Sequence, residues 1–141
     1  MTTTISQISI KPNTPGQVGL PKVPIERATI SKWGVEGDYN RFRKEKKKND
    51  PDMAVMILST DVINALNSEG WHVNPGDLGE NLTLTNIDYS TLKFGDRLSI
   101  GEVCLEISLI CDPCTNLNNL SYVGKDKSSS FIKTLMKRRG W

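Results

Sequence analysis

Arg97-Leu98-Ser99-Ile100-Gly101-Glu102-Val103-Cys104-Leu105-Glu106-Ile107-Ser108-Leu109 decides the fold class. Val103, Leu105, Ile107 and Leu109 fall on alternate positions and share one face of an extended strand, while Cys104, Glu106 and Ser108 take the other. Gly95-Asp96 leads into the first arm and Gly101-Glu102 turns the chain into the second. The pattern predicts an antiparallel hairpin.

Directly after it comes Ile110-Cys111-Asp112-Pro113-Cys114-Thr115-Asn116-Leu117. Cys114 follows a proline, in a turn where its side chain can face a pocket. The C-x-x-C pair has three readings. A redox disulfide of the thioredoxin type belongs at a helix start within a βαβ pattern, not after a hairpin. A structural zinc site needs four ligands, and Cys104, Cys111, Cys114 and His72 lack a second spaced pair. The third reading is one functional thiol, Cys114, with Cys111 a bystander. Such a thiol needs thiolate character and access; cations or backbone N–H groups nearby would lower its pKa, and Asp112 would raise it.

Working toward the N-terminus, Leu82-Thr83-Leu84-Thr85 alternates as a strand. Before it, Asp77, Glu80 and Asn81 sit on a loop flanked by Gly76 and Gly79. One reading is turn chemistry, with glycine supplying unusual φ and Asn81 capping backbone. The other is a polar ligand site or pocket wall. Ser59 followed by Val62, Ile63 and Leu66 predicts a short capped helix, closed by Gly70. Met53–Leu58 is continuously apolar and predicts a strand buried on both faces.

Arg41-Phe42-Arg43-Lys44-Glu45-Lys46-Lys47-Lys48 carries six cations in eight residues. It reads as a solvated loop, or as a funnel that steers an anionic ligand or acidic partner. Nucleic acid is not expected, because no recognition motif follows. Glu26–Ser31 and Ile5–Ile10 read as strands, Asn13–Pro24 as a Gly/Pro-rich loop carrying Lys22, and Trp33–Asp38 as a turn. At the far end Ser128–Ser130 would cap a helix over Phe131–Arg139, with its last turn basic.

The length of 141 residues suggests one domain, 1–141, able to bury a core without staples. No apolar run is long enough to cross a bilayer, and the first residues lack a signal-peptide pattern, so a cytoplasmic protein with no membrane partner is expected. Three cysteines argue against a secreted disulfide framework. Many short strands, few short helices and frequent turns predict a mainly β domain, closed as a barrel to remove exposed edges.

Taken in order, Gly19–Lys22 with Glu26-Arg27-Ala28, Gly34–Asp38, Asp52–Val55, Glu69-Gly70, Pro75–Thr83, Phe94–Leu98 and Leu105–Ile107 leading to Pro113-Cys114 resemble the MOSC domain. This module is named for the C-terminal part of molybdenum cofactor sulfurases. The resemblance implies a β-barrel and one functional cysteine, which falls on Cys114. In that family the thiol is thought to carry sulfur received from a pyridoxal-phosphate desulfurase, or to ligate molybdenum of a pterin cofactor. Some members reduce N-hydroxylated bases. The resemblance therefore implies Cys114 as catalytic or metal-binding thiol, with Lys22, Arg27, Asp77, Glu80 and Asn81 around the cofactor. Pyridoxal phosphate would sit on a partner cysteine desulfurase; a molybdoenzyme is the other expected partner. Carrier, reductase and non-catalytic binding module all stay open.

Two departures stand out. Lys48-Asn49-Asp50-Pro51-Asp52 occupies the place where many members have His-Gly-Gly. The sequence also ends at Arg139-Gly140-Trp141, where relatives usually add a strand. A missing last strand would leave an edge that a homodimer could cover.

Overall fold

The structure is a computed structural model describing residues 2–113, 115–136 and 138–141. In chain order it contains β1 (Thr4–Ile10), β2 (Val23–Ile25), β3 (Ile30–Ser31), β4 (Gly34–Val35), α1 (Arg41–Lys46), β5 (Ile57–Ser59), α2 (Thr60–Ser68), β6 (Leu82–Thr85), β7 (Arg97–Ile100), β8 (Val103–Glu106) and α3 (Ser128–Leu135). Short 3-10 turns span Pro51–Met53, Tyr89–Thr91 and Thr115–Asn119.

The central sheet has the order β2-β1-β6-β5. β1 runs antiparallel to β2, with Ile8 opposite Ile25, and antiparallel to β6, with Ile8 opposite Leu82. β5 lies parallel to β6, with Ile57 opposite Leu82 and Ser59 opposite Leu84. Alternation along β5 feeds two cores. Leu58 joins the core under the helices, with Leu66, Leu78, Leu117, Phe131 and Leu135. Ile57 joins a second core with Leu82, Leu84, Ile87 and Ile107. The β-helix unit is held by a good cap: Ser59 Oγ accepts from the Asp61 N–H at 3.1 Å.

The protein is mainly β with few helices, but the expected barrel is not there. Among the described residues the strands make three separate sheets, the second β3-β4 and the third β7-β8. The outer edge of β5 is taken by the last residue instead of a strand. Ile57 N–H donates to the Trp141 carbonyl at 2.7 Å, and Trp141 N–H donates back to the Ile57 carbonyl at 3.1 Å. At the root of the β7–β8 hairpin, the backbone of Ile107 is used by Gly95 and Asp96, both at 2.8 Å.

Other expectations shift locally. The apolar run at Met53–Leu58 opens in a 3-10 turn, because Asp50 caps Asp52 and Pro51 suits the first turn position; the strand begins only at Ile57. Pro24, read as loop, sits in β2 opposite Ser9, an edge position where a missing N–H costs nothing. The Glu26–Ser31 strand shrinks to Ile30–Ser31, paired with Gly34–Val35 across what the sequence presents as a turn. The basic run forms α1, capped by Asn40 Oδ1 on the Arg43 N–H at 3.0 Å. The hairpin arm ends at Glu106 rather than Leu109. The final helix starts at Ser128 without a side-chain cap and stops at Leu135, so Arg138 and Arg139 lie beyond its last turn.

Candidate functional site

The loop from Gly76 to Asn81 is built on close backbone approach. Gly76 has φ +92°, and a Cβ there would stand 2.5 Å from the Lys22 carbonyl and 3.1 Å from Ser9 Oγ. Only glycine fits, and it lets the Lys22 N–H donate to the Gly76 carbonyl at 3.0 Å. The loop then folds over Glu80, which is fully buried. Glu80 Oε1 accepts from the Gly76 N–H at 2.6 Å and from Thr83 Oγ1 at 3.0 Å. Glu80 Oε2 is buried with no partner among the described residues. Burial pushes the Glu80 carboxyl above the usual carboxylate range; the Gly76 and Thr83 bonds oppose this, and Asp77 reinforces it.

Asn81 is a strut. Its Oδ1 accepts from the Met56 N–H at 3.1 Å, and its Nδ2 donates to the Ser9 carbonyl at 3.1 Å and to Asp38 Oδ2 at 2.9 Å. Lys22 Nζ meets the same Asp38 oxygen at 2.6 Å. Burial lowers the Lys22 pKa, while Asp38 and Glu80 raise it and Arg139 adds to the lowering. The close contact with Asp38 opposes the cost of burying the Lys22 ammonium. Asp77 Oδ2 accepts from the Asn74 N–H and from the Tyr122 hydroxyl, both at 2.9 Å. Burial and the Asp77 and Glu80 charges push the Tyr122 phenol well up.

Arg139 joins this loop to the cysteine segment. Its guanidinium is buried; Nε donates to the Leu78 carbonyl at 3.0 Å and Nη1 to the Asp112 carbonyl at 2.7 Å. The Cys111 N–H donates to the Gly140 carbonyl at 2.8 Å, fixing the same segment a second time. Burial pushes the Tyr89 phenol up, and the neighbouring Cys111 and Glu80 add to this.

Lys22, Asp77, Glu80 and Asn81 therefore come together, as one buried polar network. Arg27 is exposed, between β2 and β3. Cys114 lies outside the described residues. Asp38, Tyr122 and Arg139 belong to the network and were not singled out from sequence. Asp38 follows a glycine in a turn and Arg139 sits among surface-type cations, so neither carries a signal by type or spacing. A separate cleft of about 480 Å³ opens between the hairpin and Trp141, lined by Ile30, Val55, Ile57, Cys104 and Leu105 among others. None of the network residues named above lines it. Among the described residues no group of three or more His, Cys, Asp and Glu is placed to hold a metal.

These features define a mainly β protein in which a Gly-Glu-Asn loop is tied to a late cysteine segment. The chain belongs to the MOSC domain family, whose model matches residues 44–141; that family is related to the molybdenum cofactor. The match takes in Asp77, Glu80, Asn81 and Cys114 and begins after Lys22 and Arg27. Solved structures extend the similarity in fold to nearly the whole chain. The YuaD protein from Bacillus subtilis superposes with TM-score 0.76 at 20% identity, over 99% of this chain and 85% of that one. A hypothetical protein gives TM-score 0.68 at 20% identity, over 96% of this chain and 58% of its own. YiiM from Geobacillus stearothermophilus gives TM-score 0.66 at 21% identity, over 95% and 62%. The chain thus spans about three fifths of the length of the last two. No curated protein sequence matches it.

Proposed function

We propose that this protein works in molybdenum-cofactor chemistry, with Cys114 as the thiol that accepts sulfur or ligates molybdenum. The observation that carries this reading is the Arg139 bridge from Leu78, in the Glu-Asn loop, to Asp112, two residues before Cys114. It supports a site in which the thiol-bearing segment and the loop act as one unit.

The residues present fit a molybdenum-pterin group by their chemistry. A thiolate suits the metal. Glu80 Oε2, buried without a partner among the described residues, is an unused polar atom of the kind that a hydrogen-bonding ring system satisfies. Lys22 and Arg139 place positive charge beside it, and Arg27 adds a surface cation for a phosphate. When bound, such a group supplies a redox-active metal. The chain's own part is to hold the Cys114 segment through Arg139, to hold the Lys22 ammonium group against Asp38, and to brace the loop through Asn81. In the sulfur-accepting variant the Cys114 thiolate takes the outer sulfur of a desulfurase persulfide and the donor thiol leaves. Pyridoxal phosphate then stays on the desulfurase.

The test is elemental and pterin analysis of protein made in a cofactor-producing host, with desulfurase treatment of a parallel sample. Bound molybdenum lost in Cys114→Ser supports ligation, and a persulfide lost in Cys114→Ala supports sulfur acceptance. Neither outcome in the wild-type protein would sink the reading.

A further inference from the structure

The strongest surface feature outside the buried network is the basic run around α1. Sequence alone leaves it a solvated loop or an anion funnel. The structure makes it a basic surface plate, built on α1 and tied to the neighbouring turn. Arg43, the one buried cation of the run, is the bolt. Its Nε donates to the Asp50 carbonyl at 3.0 Å, and its Nη2 donates to the Trp33 carbonyl. Helix α1 is thereby fixed to the turn between β3 and β4. Gly34 allows this closeness, because a Cβ there would stand 2.6 Å from the Ala54 carbonyl and 3.0 Å from Arg43 Nη1.

With Arg43 turned inward, Arg41, Lys44, Lys46, Lys47 and Lys48 are all exposed, and so is Lys32 on the neighbouring turn. The acid of the run, Glu45, stands 3.6 Å from Arg41. Two large aromatic side chains are exposed among these cations, Trp33 with 52% of its surface open on the neighbouring turn and Phe42 with 51% on α1. Lys32 Nζ lies 4.8 Å above the Trp33 ring and Lys47 Nζ 5.6 Å above the Phe42 ring.

We propose that this plate docks the protein on an anionic membrane surface. Clusters of four to eight cations beside interfacial aromatics are the combination that anionic leaflets attract: charge gives the pull, and ring edges settle among the headgroups. Tryptophan and phenylalanine half exposed at one site serve no core here. Single-stranded nucleic acid fits less well. It calls for a groove with open ring faces for base stacking, whereas each ring here carries an ammonium on a face, and none of Arg41–Lys48 lines the cleft beside the hairpin. The proposal departs from the expectation of no membrane partner. That expectation concerned spanning segments, and no described helix is long and apolar enough to cross a bilayer; surface docking needs none.

The test is co-sedimentation of the full chain with vesicles of phosphatidylcholine alone and of phosphatidylcholine with phosphatidylserine, at low and at physiological salt. Three variants run in parallel: Lys44→Glu/Lys47→Glu, Trp33→Ser/Phe42→Ser, and Lys93→Glu, an exposed cation on the loop before β7. Binding is expected only with phosphatidylserine present. The double charge reversal should weaken it by well over tenfold, at roughly fivefold per cation near the leaflet before counting the added repulsion. The aromatic variant should weaken it severalfold and Lys93→Glu little. Thermal melts check that the variants fold. No serine-lipid binding at low salt, equal binding by the charge-reversed protein, or tighter capture by a single-stranded oligonucleotide or polyglutamate would overturn the proposal.

Discussion

The Arg139 guanidinium donates to the Asp112 carbonyl at 2.7 Å while its other arm holds the Leu78 carbonyl at 3.0 Å. One buried side chain thus couples two segments about thirty residues apart in sequence, the Glu-Asn loop and the approach to Cys114. A charge-assisted hydrogen bond in a buried setting is worth about 1.5–3 kcal/mol. Arg139→Ala should therefore lower stability by about 2–4 kcal/mol, seen in urea unfolding. It should also raise the alkylation rate of the 111–114 segment under native conditions. Arg139→Lys should not restore both effects, because one ammonium does not reproduce the guanidinium's fork. Unchanged unfolding in Arg139→Ala would remove the bridge from the account.

Gly76→Ala tests the loop itself. The residue has φ +92°, and an added methyl would meet the Lys22 carbonyl. Strain of this kind costs about 1–3 kcal/mol before the clash is counted. The expected result is a drop in thermal midpoint larger than that of Gly95→Ala, whose φ of +90° is similar but whose surroundings are open.

Glu80 makes stability depend on pH in a defined sense. Its folded pKa is raised by burial above its unfolded value. The native state therefore holds the proton more tightly, and the stability linked to it is fully present below the ordinary carboxylate range and is lost as pH rises through the folded pKa. Glu80→Gln keeps an acceptor for Gly76 and Thr83 and removes the titration. It should flatten the fall in stability above that range and equal or exceed the wild type at neutral pH. Glu80→Ala strands the Gly76 donor and should cost about 1–3 kcal/mol. Urea melts across pH distinguish the three.

Cys104 and Cys111 should be dispensable for the chemistry. Cys104 is exposed on β8, beside the separate cleft, and Cys111 is half-buried with its backbone N–H bonded to Gly140. Cys104→Ser and Cys111→Ser should retain any persulfide or molybdenum that the wild-type protein carries. Loss in either variant, with folding intact, would move the working thiol away from Cys114.

The sequence marked part of the buried polar network and part of the fold. Val103, Leu105 and the Gly101-Glu102 turn announced the β7–β8 hairpin, and Ser59 announced α2, because both signals are local. Gly76, Glu80 and Asn81 were visible as an ordered set. What sequence missed depends on distant partners. Pro24 in a strand is intelligible only once β2 is known to be an edge. Arg139 looked like a helix-end cation, yet two carbonyls from other segments draw it inside. Lys22 looked like a phosphate ligand; its ammonium already faces Asp38 at 2.6 Å. The pairing of Trp141 with Ile57 at the edge of β5 is likewise a nonlocal contact that no local pattern announces.

The central claim is that chemistry passes through the Cys114 thiol. Its most direct test is native mass spectrometry of protein from a molybdenum-cofactor-producing host, after exposure to a cysteine desulfurase and cysteine. The account predicts that the wild-type protein gains either one persulfide sulfur or a molybdenum-pterin mass, and that Cys114→Ser gains neither. A wild-type spectrum without either adduct, or the same adduct on Cys114→Ser, would contradict it.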